Sequence, residues 1–252
     1  MTAQTRPRRR ADVLLVERGL FESRARAQAA IAAGLVRADG ETVRRASDAL
    51  DPDAAIEAEP AHPYVSRGGV KLAHALDLFA ISVEGLHALD VGASTGGFTE
   101  VLLARGAAHV TAVDVGRGQL HPKVAADPRV ENREATDIRA LAPADLPARP
   151  DIVTVDVSFA PLSAVLPAAL SLAAAEATLV ALVKPQFEVG RKDVGKGGIV
   201  KDEAARRRAR DGAVGLVESL GYAVLGHSPS PIAGGDGNVE HLLVARGRGV
   251  NG

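Results

Sequence analysis

The sequence predicts an α/β protein in two parts, in which a doubly wound parallel sheet follows a small α+β domain. In the longer part, short apolar runs alternate with helical stretches, which is typical of a parallel sheet with helices on both faces. In the first 60 residues, two helical stretches instead lead into short strands separated by glycine turns. We therefore expect domains at 1–61 and 70–252, joined by a linker at 62–69 where Pro63 favours an extended chain.

The elements of the first domain are predicted from capping and turn residues. Ser23 is a favourable N-cap, Gly19 and Gly34 suit helix ends, and Asp39-Gly40 is typical of a tight hairpin turn. These signals predict helices over 12–18 and 24–33, and strands over 35–38, 41–43 and 55–59.

The second domain begins with a predicted helix over 70–79 and continues as alternating strands and helices. Strands are expected at His87–Val91, 110–115, 130–134, 151–157 and Thr178–Val183. Helices are expected at 98–105, 118–126, 161–174 and 202–220, followed by two last strands at 222–227 and 239–245. Ligands of such sheets bind beyond the carboxyl ends of the strands, so polar residues at those ends are the candidates for function.

Composition sets outer bounds on function. The chain has 252 residues, a formal net charge of −1 and no cysteine. The lack of cysteine excludes disulfides, thiolate catalysis and cysteine-based zinc sites, and it fits a reducing cytoplasm. No apolar run reaches the length that spans a bilayer, and the arginine-rich N-terminus lacks the apolar core of a secretory signal. We expect a cytoplasmic protein with neither a membrane nor a metal partner.

A glycine-rich turn follows the first strand of the predicted sheet, in the run Asp90-Val91-Gly92-Ala93-Ser94-Thr95-Gly96-Gly97-Phe98-Thr99. Glycine lets a ligand approach the backbone closely, and the start of the next helix offers unpaired N–H groups. The spacing matches neither G-x-G-x-x-G nor a phosphate-binding P-loop, which disfavours NAD and ATP. An acidic residue just before the glycines resembles the first motif of S-adenosylmethionine (SAM) methyltransferases. A purely structural glycine turn is the alternative.

The resemblance to SAM methyltransferases implies a set of cofactor-binding residues. Asp90 and the turn would face the amino-acid portion of SAM, through Gly92, Ser94, Thr95, Gly96, Gly97 and Phe98. Asp114, near the end of the second strand, would accept both ribose hydroxyls, since a carboxylate can take two hydrogen bonds. A solvated strand end is the alternative for Asp114. Asp137 would accept from the adenine amino group, with Glu134 and Asp145 as nearby competitors.

Positive charge is concentrated near the N-terminus. Residues 1–45 hold ten arginines against five acids, and such a region neutralises phosphate and releases counterions. The pattern from Arg10 and Asp12 through Ser23-Arg24 to Gly40 resembles the small RNA-binding domain first known from ribosomal protein S-four. The resemblance implies contact with RNA backbone and shape through a basic face, formed by Arg10, Arg24, Arg26, Arg37 and Arg44. A solvated charged face is the alternative.

Four charged residues lie where catalytic chemistry is expected. Asp156 and Lys184 end adjacent predicted strands, where a buried charge is costly unless it has a partner. Lys71 starts the first helix of the second domain, and Glu240 starts the last strand. Two structural ion pairs are the plain alternative to a catalytic set.

The four residues together resemble the Lys-Asp-Lys-Glu tetrad of FtsJ-type RNA 2′-O-methyltransferases. Three longer runs extend the likeness to the TlyA, or haemolysin A-like, family: Ser66-Arg67-Gly68-Gly69-Val70-Lys71-Leu72, Lys184-Pro185-Gln186-Phe187-Glu188-Val189-Gly190 and Gly237-Asn238-Val239-Glu240. That family joins the S-four-like domain to an FtsJ-like methyltransferase domain with a Rossmann-like sheet. Its members methylate cytidine 2′-hydroxyls in ribosomal RNA, and the resemblance implies the same SAM-dependent fold and reaction here.

The resemblance also implies a role for each charged residue. Lys184 would be the base that takes the hydroxyl proton, or else the cation that stabilises a developing oxyanion. Lys71 would orient the hydroxyl, while Asp156 and Glu240 would position the lysines. The sulfonium charge of SAM disappears during transfer, so the expected reaction needs no metal.

The expected partner is ribosomal RNA within ribosomal subunits. The large subunit is the first candidate, and the arginine-rich arm at 6–10 favours the small subunit as well, because longer arms accompany methylation of both subunits in the family. Phosphates near the active site would be held by Arg67 and by the basic loop 190–198, through Arg191, Lys192 and Lys196. For the arginine-rich helix that follows, an exposed basic face is an equal alternative. Tyr64 stands where some family members carry tryptophan, so linker control of SAM binding is not inferred.

Three other functions stay open at this stage: a noncatalytic RNA-binding ribosome-assembly factor with a methyltransferase fold, a membrane-active haemolysin and a small-molecule methyltransferase. The intact tetrad argues against the first. The lack of a cationic helix with a broad aromatic face argues against the second, and the RNA-binding module argues against the third.

Overall fold

A computed structural model describes residues 7–234 and 237–249 and divides the chain into two compact units, Met1–Pro63 and Tyr64–Gly252. Arg6, the first arginine of the predicted basic arm, lies outside the described residues. Each unit has its own hydrophobic core, as expected for separately folded domains.

The first unit is an α+β domain. Its elements in chain order are β1 (Arg9–Arg10), α1 (Ala11–Glu17), α2 (Arg24–Ala32), β2 (Val36–Ala38), β3 (Glu41–Thr42), β4 (Ala49–Leu50) and β5 (Ile56–Ala58). Strand β2 pairs with both β3 and β5, and β1 pairs with β4 in a second, two-stranded sheet. Leu15, Ile31 and Val36 form part of the core between the helices and the sheet.

The predicted capping and turn residues act as expected in this unit. The Ser23 hydroxyl accepts a hydrogen bond from the Arg26 backbone N–H, which satisfies one free donor at the start of α2. Asp39 and Gly40 both have positive φ, at 50° and 80°, which is the conformation of a type I′ hairpin turn.

The second unit alternates strands and helices. Its elements are α3 (Gly68–Leu78), β6 (His87–Val91), α4 (Gly97–Ala104), β7 (His109–Val113), α5 (Pro122–Ala125), β8 (Val130–Arg133), β9 (Ile152–Val155), α6 (Leu162–Leu172), β10 (Thr178–Val183), α7 (Pro185–Glu188), α8 (Glu203–Ser219), β11 (Tyr222–Pro229) and β12 (His241–Gly247). Most residues of β6, β9 and β10 are buried, because helices cover both faces of the sheet.

These strands form one seven-stranded sheet in the order β11-β12-β10-β9-β6-β7-β8. Strands β8, β7, β6, β9 and β10 are parallel, and β12 runs antiparallel to both β10 and β11. The chain order reverses between β6 and β9, which creates the crevice where such sheets bind ligands. The doubly wound α/β fold expected from the sequence is confirmed.

Two local predictions in the second unit are wrong. The helix expected over 118–126 is present only as Pro122–Ala125, since the Glu134 carboxylate binds the N–H groups of Gln119 and Leu120 at 2.5 and 3.0 Å and holds them in a loop. The first helix begins two residues early, at Gly68. Its second residue, Gly69, faces the Tyr64 ring so closely that no Cβ would fit.

Candidate active site

Strand direction explains why distant charges meet at one edge of the sheet. Strands β9 and β10 are parallel, so Asp156 and Lys184 leave the sheet at the same edge. Strand β12 runs the opposite way and pairs Val183 with His241, so the residue before it lies at that edge too. That residue is Glu240. The sequence predicted that Glu240 begins the last strand, whereas β12 begins one residue later, at His241.

The four charged residues form two ion pairs. The Lys184 Nζ atom lies 2.6 Å from Asp156 Oδ1 and 2.8 Å from the Ser158 hydroxyl oxygen. The Lys71 Nζ atom lies 2.5 Å from Glu240 Oε2. The two lysine side chains are each 10% exposed, and the carboxylate of Glu240 is 3% exposed against 19% for Asp156. Each buried charge therefore has an opposite charge in contact.

Both ion pairs meet a single cavity of about 260 Å³. Lys71, Asp156 and Lys184 line it directly, and Glu240 contacts it only through Lys71. The remaining wall is formed by the glycine turn and by the segment before α3, through Ser66, Arg67, Gly68, Gly92, Ala93, Ser94, Thr95, Gly97, Phe98 and Ser158. The structure thus brings the predicted catalytic residues together with most of the predicted cofactor turn.

The glycines of the turn are required by close packing. A Cβ on Gly92, whose φ is +84°, would lie 2.6 Å from the Asp156 carbonyl oxygen. A Cβ on Gly97 would lie 2.9 Å from the Gly69 backbone nitrogen. Gly96, with φ +93°, caps α4 and packs against Leu120 without lining the cavity. The turn therefore lies directly against the end of β9, where Asp156 is located.

Asp90 does not line this cavity, which corrects the expectation that it faces the cofactor. Its carboxylate is fully buried and accepts hydrogen bonds from the hydroxyls of Thr99, at 2.6 Å, and Thr154, at 2.9 Å. Burial, with a smaller contribution from the charge of Asp156, raises the pKa of Asp90 to about 6. Asp90 therefore ties α4 to β9 from beneath the turn.

A second cavity of about 510 Å³ adjoins the first and shares Gly92, Ser94, Asp156 and Ser158 with it. Asp114 lines this second cavity, and its two carboxylate oxygens accept from the N–H groups of Ser94 and Gly116 at 2.8 and 2.7 Å. Most of the remaining wall is apolar, from Val91, Val113, Val115, Ile138, Val157, Ala160, Ala164 and Val165.

Asp137 also lines the second cavity, but its carboxylate is already engaged. It pairs with the Arg139 guanidinium, with 2.5 Å between Oδ2 and Nη2, and accepts from the Arg139 backbone N–H. The hydrogen bond from the Arg139 side chain lowers the pKa of Asp137 to about 2. Contact with an adenine amino group would therefore compete with an existing ion pair.

Phe159 is a residue at this site that the sequence reasoning missed. Its side chain is 92% exposed, its φ is +68°, and it lines the second cavity. Its ring centroid lies 5.5 Å from that of Phe187. An aromatic residue following a buried strand is ordinarily expected in the core, so only the structure reveals it as an exposed aromatic surface.

In the first unit, two of the predicted RNA-binding arginines share one carboxylate. Asp12 is fully buried and accepts hydrogen bonds from Arg10, Arg24 and Gln28. These bonds, chiefly the one from Arg10, hold the pKa of Asp12 well below its usual range. The arginine side chains remain about half exposed, at 51% and 55%. Asp12 thus fixes two guanidinium groups at the surface.

The other predicted RNA-binding residues differ in their surroundings. Arg37 donates to the Gly40 carbonyl oxygen, and Arg26 lies 4.0 Å from the Glu22 carboxylate. Arg44 is exposed, as are Arg67, Arg191, Lys192 and Lys196 of the second unit. On α8, by contrast, several arginines pair with acids: Arg207 with Glu203, Arg208 with Asp193 and Arg210 with Asp211. This pairing favours the exposed-face interpretation for α8.

Across residues 7–234 and 237–249, no helix is both long and apolar enough to cross a membrane. The same ranges hold no cluster of three or more histidine or acidic side chains arranged to ligate a metal ion.

The mostly parallel sheet, the glycine turn and the lysine–carboxylate pairs are the features that the sequence predicted for a methyltransferase. Residues 64–248 match the sequence profile of the FtsJ-like methyltransferases, and residues 9–56 match that of the S4 domain. The chain belongs to the FtsJ-like methyltransferase family and carries an S4 domain before it. The family expected from the sequence is confirmed.

The proteins similar to this chain include one named as an rRNA methyltransferase and one named as a hemolysin. The 16S/23S rRNA (cytidine-2′-O)-methyltransferase TlyA of Mycobacterium tuberculosis is 46% identical over 95% of this chain and 90% of its own length. Hemolysin A of Brachyspira hyodysenteriae is 39% identical over 92% of this chain and 98% of its own. A solved structure from Streptococcus thermophilus has a TM-score of 0.76 and 40% identity, covering 96% and 89% of the two chains.

Proposed function

We propose that this protein uses SAM to methylate the ribose 2′-hydroxyl of cytidine in ribosomal RNA. The observation that carries this proposal is the shared cavity in which two lysine–carboxylate pairs adjoin the glycine turn. The choice of cytidine and of ribosomal RNA is supported by the similarity to the M. tuberculosis enzyme. A protein that acts on ribosomes would work in the cytoplasm.

The groups that line the adjoining cavities suit the chemical groups of SAM. The larger cavity combines apolar walls, suited to an adenine ring, with the Asp114 carboxylate, suited to ribose hydroxyls. The smaller cavity lies against the glycine turn and the start of α4, where free backbone N–H groups suit a carboxylate. Bound there, SAM supplies an electrophilic methyl group.

The lysines act on the hydroxyl proton. A ribose hydroxyl is a weak acid and must lose its proton to become a good nucleophile, whereas lysine is ordinarily protonated at neutral pH. Burial and a second nearby cation favour neutral lysine, and the paired carboxylates favour charged lysine. Lys184 either accepts the proton or stabilises the developing oxyanion. Lys71 orients the hydroxyl, and Asp156 and Glu240 hold the two amines in place.

RNA binding involves both units. In the S4 domain, the half-exposed Arg10 and Arg24 and the exposed Arg44 would contact phosphates, which attract guanidinium groups. In the methyltransferase domain, Arg67 lines the cavity itself, and the basic loop 190–198 follows Lys184 after one short helix. Phe159 offers an exposed ring at the larger cavity on which a base could stack.

We propose both ribosomal subunits as substrates.

Methyl transfer from radiolabelled SAM to isolated ribosomal subunits tests the proposal. We expect transfer by the wild-type chain and none by Lys184→Ala, with SAM affinity retained in the variant. Lys123→Ala is the matched control, since Lys123 also pairs with a carboxylate, that of Glu100, but does not line the cavity. Mapping of the ribose that becomes resistant to alkaline cleavage identifies the nucleotide. A wild-type chain that binds subunits but transfers no methyl group would instead support an assembly factor.

A further inference from the structure

Asn238 is a buried polar residue with no role in the chemistry described above. Its side chain is 1% exposed, and it lies two residues before Glu240. Its side-chain carbonyl accepts from the Val200 backbone N–H at 2.9 Å, and its amide group donates to the Gly198 carbonyl oxygen, also at 2.9 Å. The Asn238 side chain therefore pairs with the Gly198 C=O and the Val200 N–H in the way that the backbone of a neighbouring β-strand would.

The segment that Asn238 holds is the end of the basic loop. Gly198 donates to the Gly195 carbonyl and Gly195 donates to the Ile199 carbonyl, at 3.1 and 3.0 Å, so this end of the loop is closed on itself. Gly197 and Gly198 both have positive φ, which lets the chain turn within so few residues. A change in the position of the loop would therefore be transmitted to the Asn238 side chain.

The other side of Asn238 leads to the catalytic pairs. Its backbone carbonyl accepts from the Gly234 N–H, and the Glu240 carbonyl accepts from the Ser230 N–H, both at 2.9 Å. Only Val239 separates Asn238 from Glu240, whose carboxylate contacts Lys71 at 2.5 Å. Because two peptide units span so short a distance, Asn238 cannot move far without displacing Glu240.

We propose that Asn238 is a positioning residue that couples RNA contact at the basic loop to the placement of Glu240 and, through it, Lys71. The proposal rests on the proposed function, which assigns Arg191 and Lys192 to RNA. RNA held by the loop would fix Gly198 and Val200, and the Asn238 amide would carry that restraint to the strand entry at Glu240.

The first test separates turnover from binding in Asn238→Ala and Asn238→Asp. The alanine removes both side-chain hydrogen bonds of Asn238. The aspartate keeps an acceptor for the Val200 N–H but cannot donate to the Gly198 carbonyl, so neither variant holds the loop through both bonds. We expect kcat for methyl transfer to subunits to fall at least tenfold, with KM for SAM unchanged within twofold. Urea unfolding tests whether the variants fold. Asn238→Gln keeps both functional groups, so its kcat should be higher than that of the alanine and aspartate variants. Unchanged kcat in both variants would overturn the proposal.

The second test is a double-mutant cycle with the loop variant Arg191→Gln/Lys192→Gln. With Asn238 intact, neutralising the loop should raise KM for subunits and lower kcat. In the Asn238→Ala background, or in Asn238→Asp if the alanine variant is unfolded, it should raise KM but leave kcat unchanged within twofold. Arg246→Gln, which removes a charge near the far end of β12, should act equally in both backgrounds.

The outcomes distinguish this coupling from the function on which it rests. If the loop and Asn238 variants lower kcat by independent factors, Asn238 is merely structural and the coupling is overturned, while the methyltransferase remains. If the wild-type chain transfers no methyl group to either subunit, the proposed function and the coupling fail together.

Discussion

Replacing Asp90 by asparagine tests the electrostatics beneath the glycine turn. The pKa of the fully buried carboxyl is raised to about 6 from 3.8, first by burial. The folded chain binds this proton more tightly than the unfolded chain. Protonation of Asp90 therefore stabilises the fold fully below about pH 4, and this stabilisation is lost as the pH rises through about 6. The difference between the two pKa values corresponds to roughly 3 kcal/mol of unfolding free energy by pH 8.

An asparagine side chain at this position has nearly the same shape and carries no charge at any of these pH values. From pH 5 to pH 8, we expect the unfolding free energy of Asp90→Asn to gain about 1.5 kcal/mol relative to the wild type. Urea unfolding of both chains across this range measures the difference. Asp137→Asn is the control: Arg139 lowers the pKa of Asp137 to about 2, so its carboxylate is ionised in both the folded and the unfolded chain from pH 5 to pH 8, and the difference from the wild type should not change with pH in this range. A pH-independent difference for Asp90→Asn would refute the reasoning.

Three further changes probe other parts of the molecule. Gly92→Ala would place a Cβ 2.6 Å from the Asp156 carbonyl oxygen, so SAM affinity measured by calorimetry should fall at least tenfold, whereas Gly212→Ala on α8 has open space and should not change it. Glu240→Gln leaves Lys71 without its charge partner, so kcat should fall at least tenfold with SAM affinity retained; unchanged kcat would contradict the assigned role. Asp12→Asn loosens Arg10 and Arg24, so subunit binding should weaken several-fold in a filter assay, and equal binding at all salt concentrations would remove Asp12 from RNA recognition.

The sheet could be predicted because its signals are local. Each parallel strand is a short apolar run ended by polar or glycine residues, and His87–Val91 and Thr178–Val183 were predicted with the observed bounds. The loop before α5 could not be predicted, since the Glu134 carboxylate that shapes it comes from beyond the next strand. The pairing of β1 with β4 was missed for a related reason: two-residue strands carry no periodicity.

The candidate site shows a similar division between local and distant signals. The tetrad could be chosen from strand ends and family resemblance, but its arrangement as pairs depends on the β10–β12 register, which opposes Val183 to His241. Asp90 was misplaced because a carboxylate at a strand end suggests a ligand contact. Only the structure shows the Thr99 and Thr154 hydroxyls that occupy its oxygens. Asn238 went unassigned because its partners lie about forty residues earlier in the chain.

The two ion pairs are unequal, and this inequality divides the work of the lysines. Glu240 is almost fully buried, so its attraction for Lys71 is weakly screened by water and holds that side chain in place. Asp156 is more exposed, and Lys184 also contacts the Ser158 hydroxyl, which can donate to a neutral amine or accept from a charged one. We therefore propose that Lys184 acts on the hydroxyl proton and that Lys71, held by the more buried carboxylate, orients the hydroxyl.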